Sequence, residues 1–153
     1  KIYSFTNKSF ENPEISENNI LLIFENHLSF EITDFEDNKF KKILLVSNNT
    51  DRTIELSEKV SKFKANLLED QKIRLEEKSI NCETININDL RNIAEEVYAL
   101  YPTVGENLDF IQNNQLRNIK FLYRKLDQFS WQYCNKGFFN FKNYIPKIIA
   151  NFN

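Results

Sequence analysis

With 153 residues, the chain is the size of one domain. Folding at that length hides roughly 70% of the unfolded surface, so a core forms without disulfide staples. Only two Gly and three Pro are present, which excludes a sandwich or barrel that turns every 8–12 residues or so. The net charge of −2 hides an asymmetry: residues 112–153 carry seven bases and one acid, Asp127, while the rest of the chain is acidic.

In chain order, Lys1 to Phe5 reads as a short strand and residues 7–19 as a polar loop. The absence of an initiator Met ahead of this stretch points to a fragment or a processed chain. Ile20 to Phe24 is a continuous apolar run, the mark of a strand buried on both faces. Glu25-Asn26-His27 suits a tight turn, and Leu28, Phe30 and Ile32 then alternate with polar residues as in a half-buried strand. After the acidic turn Asp34 to Asn38, Phe40 to Val46 reads as another strand. The expected N-terminal part, residues 1–49, is thus an antiparallel meander of three to four strands.

From Thr50 the periodicity changes. Leu56, Val60, Phe63 and Leu67 recur at steps of four, three and four, predicting one long helix to about Lys78. Ile85 and Ile87 allow a short strand. Leu90, Ile93, Ala94, Val97 and Leu100 predict a second helix, capped by Asn88 or Asp89 and ended by Pro102. Leu108, Ile111, Gln115 or Leu116, Ile119, Leu122 and Leu126, continued by Phe129, predict a third, starting near Glu106. Apolar residues return at helical spacing from Phe138 to Phe152, with Pro146 kinking the segment or starting a fresh turn. The fold class expected is α+β and helix-dominated: one domain over 1–153, with a β-rich part at 1–49 and three to four helices in 50–153.

The inventory of chemical groups is thin. His27 is the sole histidine, and Cys82 and Cys134 stand far apart. No zinc or imidazole-iron ligand set can be drawn from them. Two unpaired thiols in a reducing compartment is the plain reading of the cysteines, which favours the cytoplasm; one disulfide in an exported protein is the other. Gly105 and Gly137 cannot build a phosphate loop or a dinucleotide fingerprint. Glu69-Asp70 and Glu76-Glu77 are interleaved with Lys72, Arg74 and Lys78, as on a solvated helix face. Asp34, Glu36 and Asp37 lack the Gly and bidentate Glu of a calcium loop. No catalytic residue, metal or cofactor is expected, and no apolar run approaches the ~20 residues of a membrane helix.

The basic C-terminal third is the most informative feature. On one continuous helix, Arg117, Lys120 and Arg124 would form a stripe, with Lys136 and Lys142 beyond it. Ten aromatic residues lie between Phe121 and Phe152. Trp131, between two apolar clusters, is expected to be largely buried. These features predict a non-enzymatic protein–protein interaction domain, a subunit or adaptor, with candidate partner-binding residues Arg117, Lys120, Arg124, Lys136 and Lys142; Arg117, Lys120 and Arg124 are expected to face an acidic surface, either of a partner or of the chain's own first hundred residues. The alternative is a nucleic-acid-associated domain that uses the same bases with interleaved aromatics. A sequence pI near 5.6 speaks against that alternative.

Overall fold

Ile20–Phe24 (β1) is the centre of the sheet. Every residue of this strand is buried, and Leu21 to Phe24 have no exposed surface. A strand packed on both faces needs no alternation, hence the unbroken apolar run. The computed structural model describes residues 11–28, 34–35, 40–48, 57–103, 105–134 and 137–152. It divides into two compact units, Glu14–Leu122 and a second made of Lys1–Pro13 with Tyr123–Asn153.

In the first unit β1 is joined by Lys42–Ser47 (β2), Cys82–Asn86 (β3), Val97–Leu100 (β4) and Ile119–Leu122 (β5). The five strands form one sheet in the order β3-β2-β1-β4-β5, and every pairing is parallel. Leu22 lies between Leu44 of β2 and Ala99 of β4. The expected antiparallel meander is therefore corrected: β1 and β2, both strands as expected, are direct neighbours and run the same way. The reason lies in the connections. Antiparallel neighbours can turn on two residues, whereas parallel neighbours need a long crossover. A chain with two Gly and three Pro is suited to the second solution. The strands expected at Lys1 to Phe5 and Leu28 to Thr33 fall largely outside the described residues.

The helix Glu58–Glu77 (α1) connects β2 to β3. The side chain of Ser57 accepts from the Val60 N–H at its start. At its end Ser79 takes φ 60°, and the Ser79 and Ile80 N–H groups close onto the Glu76 and Leu75 carbonyls. Leu68 and Leu75 pack on one face of the sheet with Leu21, Ile23, Ile43, Leu45, Tyr98, Leu100 and Leu122. The opposite face, with Leu22, Phe24, Leu44, Val46, Val97 and Ala99, is covered by the 3₁₀ turn Ile87–Asn92 and the helix Glu106–Asn113 (α2). Connections on both faces make this an α/β sheet of the doubly wound kind, whose strand order reverses between β1 and β4.

The expected second helix is not there: Ile87–Asn92 is a 3₁₀ turn and Val97–Leu100 is β4. Four apolar residues buried on both faces have no alternation to mark them as strand, and their spacing from Leu90 and Ile93 mimics a helical stripe. The third helix begins at Glu106 as expected but stops at Asn113. Gln115 adopts φ 52°, and the Leu116 N–H bonds back to the Ile111 carbonyl, a left-handed cap that turns the chain into β5.

In the second unit, Lys125–Trp131 (α3), Phe138–Phe141 (α4) and Ile145–Phe152 (α5) are short helices, with a 3₁₀ turn at Lys142–Tyr144. Pro146 stands at the start of α5, where its missing N–H costs nothing. Asn12 clamps the start of this region: its side chain donates to the Tyr123 carbonyl at 2.9 Å and accepts from the Tyr123 N–H at 2.7 Å.

Candidate functional site at the carboxyl ends of β1 and β4

In open parallel sheets the strands on either side of the order reversal diverge beyond their carboxyl ends, and ligands bind in the crevice left there. In this chain those ends are Glu25-Asn26, following β1, and Pro102 to Asn107, following β4. Between them and α1 lies a cleft of about 570 Å³. Its floor carries Glu25, Asn26, Gly105, Glu106 and Asn107, and its wall carries Val60, Phe63 and Leu67 of α1.

Glu25 organises the floor. Its Oε2 accepts from Lys64 Nζ at 2.6 Å, and its Oε1 accepts from the Asn48 N–H at 3.1 Å. One carboxylate thereby ties together the ends of β1 and β2 and the middle of α1. Three asparagines continue the network. Asn48 donates from Nδ2 to Asn107 Oδ1 at 3.0 Å, Asn107 donates to Asn26 Oδ1 at 3.5 Å, and Asn26 donates to the Pro102 carbonyl at 3.3 Å. Asn48 is only 3% exposed, yet its Oδ1 has no hydrogen-bond partner. A buried amide oxygen left unpaired costs about 1–3 kcal/mol.

The loop after β4 is strained. Thr103 adopts φ 59°, which is rare for a β-branched residue, and its hydroxyl donates to the Pro102 carbonyl at 2.6 Å. Gly105 follows with φ 136°, a conformation that side chains other than glycine's seldom permit. Backbone strain of this kind gathers at ligand-binding sites. It brings Glu106 and Asn107, the first residues of α2, to the edge of the cleft.

The wall is apolar and open. Phe63 is 62% exposed, and Val60 and Leu67 are also exposed. These are the residues whose spacing predicted the helix, but they are not its core face, which is Leu68, Gln71 and Leu75. The floor was invisible to periodicity because Glu25-Asn26 looks like any polar turn. What points to it is one polar pair, Glu25-Asn26, directly after the apolar run Ile20 to Phe24 and a second, Glu106-Asn107, a short loop beyond Val97 to Leu100, and that signal acquires meaning only once the strands are known to be parallel.

The residues proposed from the sequence are distributed differently. Arg117 is exposed in the turn between α2 and β5. Lys120 lies on β5 and pairs with Glu96 at 3.2 Å. Arg124 precedes α3 and grips Asp127 through two bonds of 2.7 and 3.0 Å. The three do not share a helix, because β5 interrupts it. Lys142 is exposed in the 3₁₀ turn of the second unit, and Lys136 lies outside the described residues. Trp131 is half-buried rather than largely buried, its ring edge-on to Tyr123 at 6.1 Å. His27, the last residue of the expected turn, is buried in the 3₁₀ turn Glu25–His27 that follows β1.

Among the described residues no group of His, Cys, Asp or Glu is arranged to hold a metal ion. Both cysteines are free thiols. Burial raises the Cys82 thiol to about 11, with Glu76 adding to the rise and Lys72 opposing it, and burial also raises Cys134. No family model, no curated protein and no solved structure matches the chain.

Proposed function

We propose that the Glu14–Leu122 unit binds an uncharged polar small molecule with one apolar face, in the cleft beyond β1 and β4. The observation that carries this reading is the meeting of an amide-lined polar floor with an exposed apolar wall at the point of strand-order reversal. Phe63 offers a ring face, and the Asn26 and Asn107 amides offer donors and acceptors within the same space, with the buried Asn48 amide donating to Asn107.

The charges of the described lining favour a neutral ligand. Lys64 is already committed to Glu25, and Glu106 places an acid at the amino end of α2, where an anion would otherwise be attracted. Nucleosides and free sugars share the required chemistry, with hydroxyl or amide edges and a face able to rest on an aromatic ring. The reading is one of binding rather than turnover, in keeping with the thin catalytic inventory of the sequence. It replaces the basic stripe as the best-supported site, since Lys120 and Arg124 are paired with carboxylates of this chain.

Side-chain amide resonances test the proposal. Titrating the ¹⁵N-labelled protein with a panel of nucleosides and monosaccharides should shift the Asn26, Asn48 and Asn107 side-chain signals together, and Asn107→Ala should remove the response. A panel that moves none of them, or moves them equally in the Asn107→Ala protein, would sink the reading.

A further inference from the structure

The segment after Asp127 differs chemically from everything before it. All 22 acidic residues of the chain lie at or before Asp127, while Lys136, Lys142 and Lys147 follow it. In this acid-free stretch the largest apolar side chains face outward. Phe139 is 86% exposed and Phe138 67%, and Ile149 and Phe152 are exposed as well. The rings of Phe138 and Phe139 stand edge to face at 5.8 Å, side by side at the tip of α4, where Gly137 at φ 79° begins the helix.

The segment is held from its other side. Ile148 is buried, Phe152 packs on Phe129 at 5.6 Å, and Tyr144 stacks on Tyr133 at 4.4 Å. Lys147 lies over the Tyr133 ring at 5.5 Å. One face of residues 138–152 is thus fixed by aromatic packing, and the exposed apolar residues project from a supported platform. Exposed aromatics are costly in water unless something covers them.

We propose that this segment docks on an anionic lipid bilayer surface, inserting Phe138 and Phe139 at the headgroup boundary while Lys142 and Lys147 meet anionic headgroups. An apolar insertion combined with basic residues is the two-part signal that holds a protein on a membrane face. Charge complementarity selects the occupant: with no carboxylate between Gln128 and Asn153, nothing in the stretch repels an anionic surface. The geometry is that of lying on the membrane, since among the described residues no helix is long and apolar enough to cross one.

The test is flotation of the full chain with vesicles of phosphatidylcholine alone and of phosphatidylcholine with phosphatidylglycerol. Binding is expected only to the second, weakening as salt rises. Lys142→Ala and Lys147→Ala should each weaken it by roughly five-fold. Phe138→Ser/Phe139→Ser should abolish it without lowering the melting temperature, because neither ring is packed in a core. Equal binding to both vesicles, no binding to either, or binding that survives the double Phe variant would overturn the proposal. Concentration-dependent dimerisation lost in that variant, without vesicle binding, would assign the face to a second copy instead and overturn it too.

Discussion

The two units of this chain use similar apolar content in opposite ways. Among the described residues every buried hydrophobic side chain except Ile148 belongs to the Glu14–Leu122 unit. The Tyr123–Asn153 region is as aromatic as any part of the chain, yet Phe138, Phe139, Ile149 and Phe152 face outward. A sheet with connections on both faces supplies two apolar layers for side chains to enter. Three short helices supply one shared interior, and the residues on their outer faces have nowhere to go. The difference shows that apolar residues at helical spacing mark a helix without saying that the stripe is core.

The largest effect should come from the centre of the sheet. Phe24→Ala removes a ring with no exposed surface from a strand paired on both sides, and should cost about 3–5 kcal/mol. Phe139→Ala, at 86% exposure, should stay within about 0.5 kcal/mol. Urea unfolding of the two variants side by side measures the contrast. Equal losses would mean that Phe139 is packed in solution and that the two regions do not differ as described.

The cysteines sample the same contrast by reactivity. Only a thiolate attacks a disulfide reagent. With its thiol raised to about 11, chiefly by burial, Cys82 is thiolate to only about one part in a thousand at pH 8. Its labelling rate should therefore climb close to tenfold per pH unit until the pH nears 11. Cys134 is exposed and should react first at every pH. Mass spectrometry after timed alkylation reports each site; Cys82 labelling ahead of Cys134 at pH 8 would show the sheet unit to be more open than the helical one.

A middling effect is expected at the cleft floor. Glu25→Ala deprives the buried Asn48 N–H of its acceptor and leaves Lys64 without its partner. The unsatisfied donor costs about 1–3 kcal/mol. Lys64 can turn to water, which limits the rest. Asn107→Ala should cost less, since Asn107 is half-buried and water can replace it, while removing the ligand response. Thermal unfolding together with the side-chain amide titration separates the two roles: Glu25 holds the floor in place, and Asn107 serves the ligand.

What the sequence made legible follows the same division. β1 and β2 are readable as strands because the short apolar runs Ile20 to Phe24 and Ile43 to Val46, each bounded by polar residues, fit little else. Their relative direction was not readable, because inward and outward positions look the same whichever way a neighbour runs. β4 and β5 were lost to the helix reading: Val97 to Leu100 and Ile119 to Leu122 fall on helical spacing with their neighbours, and only the left-handed turn at Gln115 and the crossover after β3 reveal them as strands. The one helix expected to carry Arg117, Lys120 and Arg124 is interrupted by β5, so the three do not line up along a single helix face. The cleft was hidden for a different reason, since its parts come from three separated segments joined only by parallel topology.

The smallest expected effect concerns what is left of that stripe. Lys120 and Glu96 are each about half exposed, and their 3.2 Å pair crosses from β5 to the residue before β4. In water at physiological salt, such a pair gains little after its desolvation and side-chain entropy are counted, typically no more than about 1 kcal/mol. Glu96 also accepts from the Tyr98 hydroxyl at 3.2 Å, so Lys120→Ala does not leave the carboxylate alone. Burial, followed by that bond to Glu96, holds the Tyr98 hydroxyl above its usual range, with Lys120 opposing the rise. Removing Lys120 should therefore push Tyr98 higher still while barely changing stability. A spectrophotometric titration of tyrosine beside urea unfolding reads both. A loss above about 1 kcal/mol that persists at high salt would mean that the Lys120 chain supports the edge of the sheet through packing along its stem, and that the boundary between buried sheet and solvated surface lies farther out than the exposures place it.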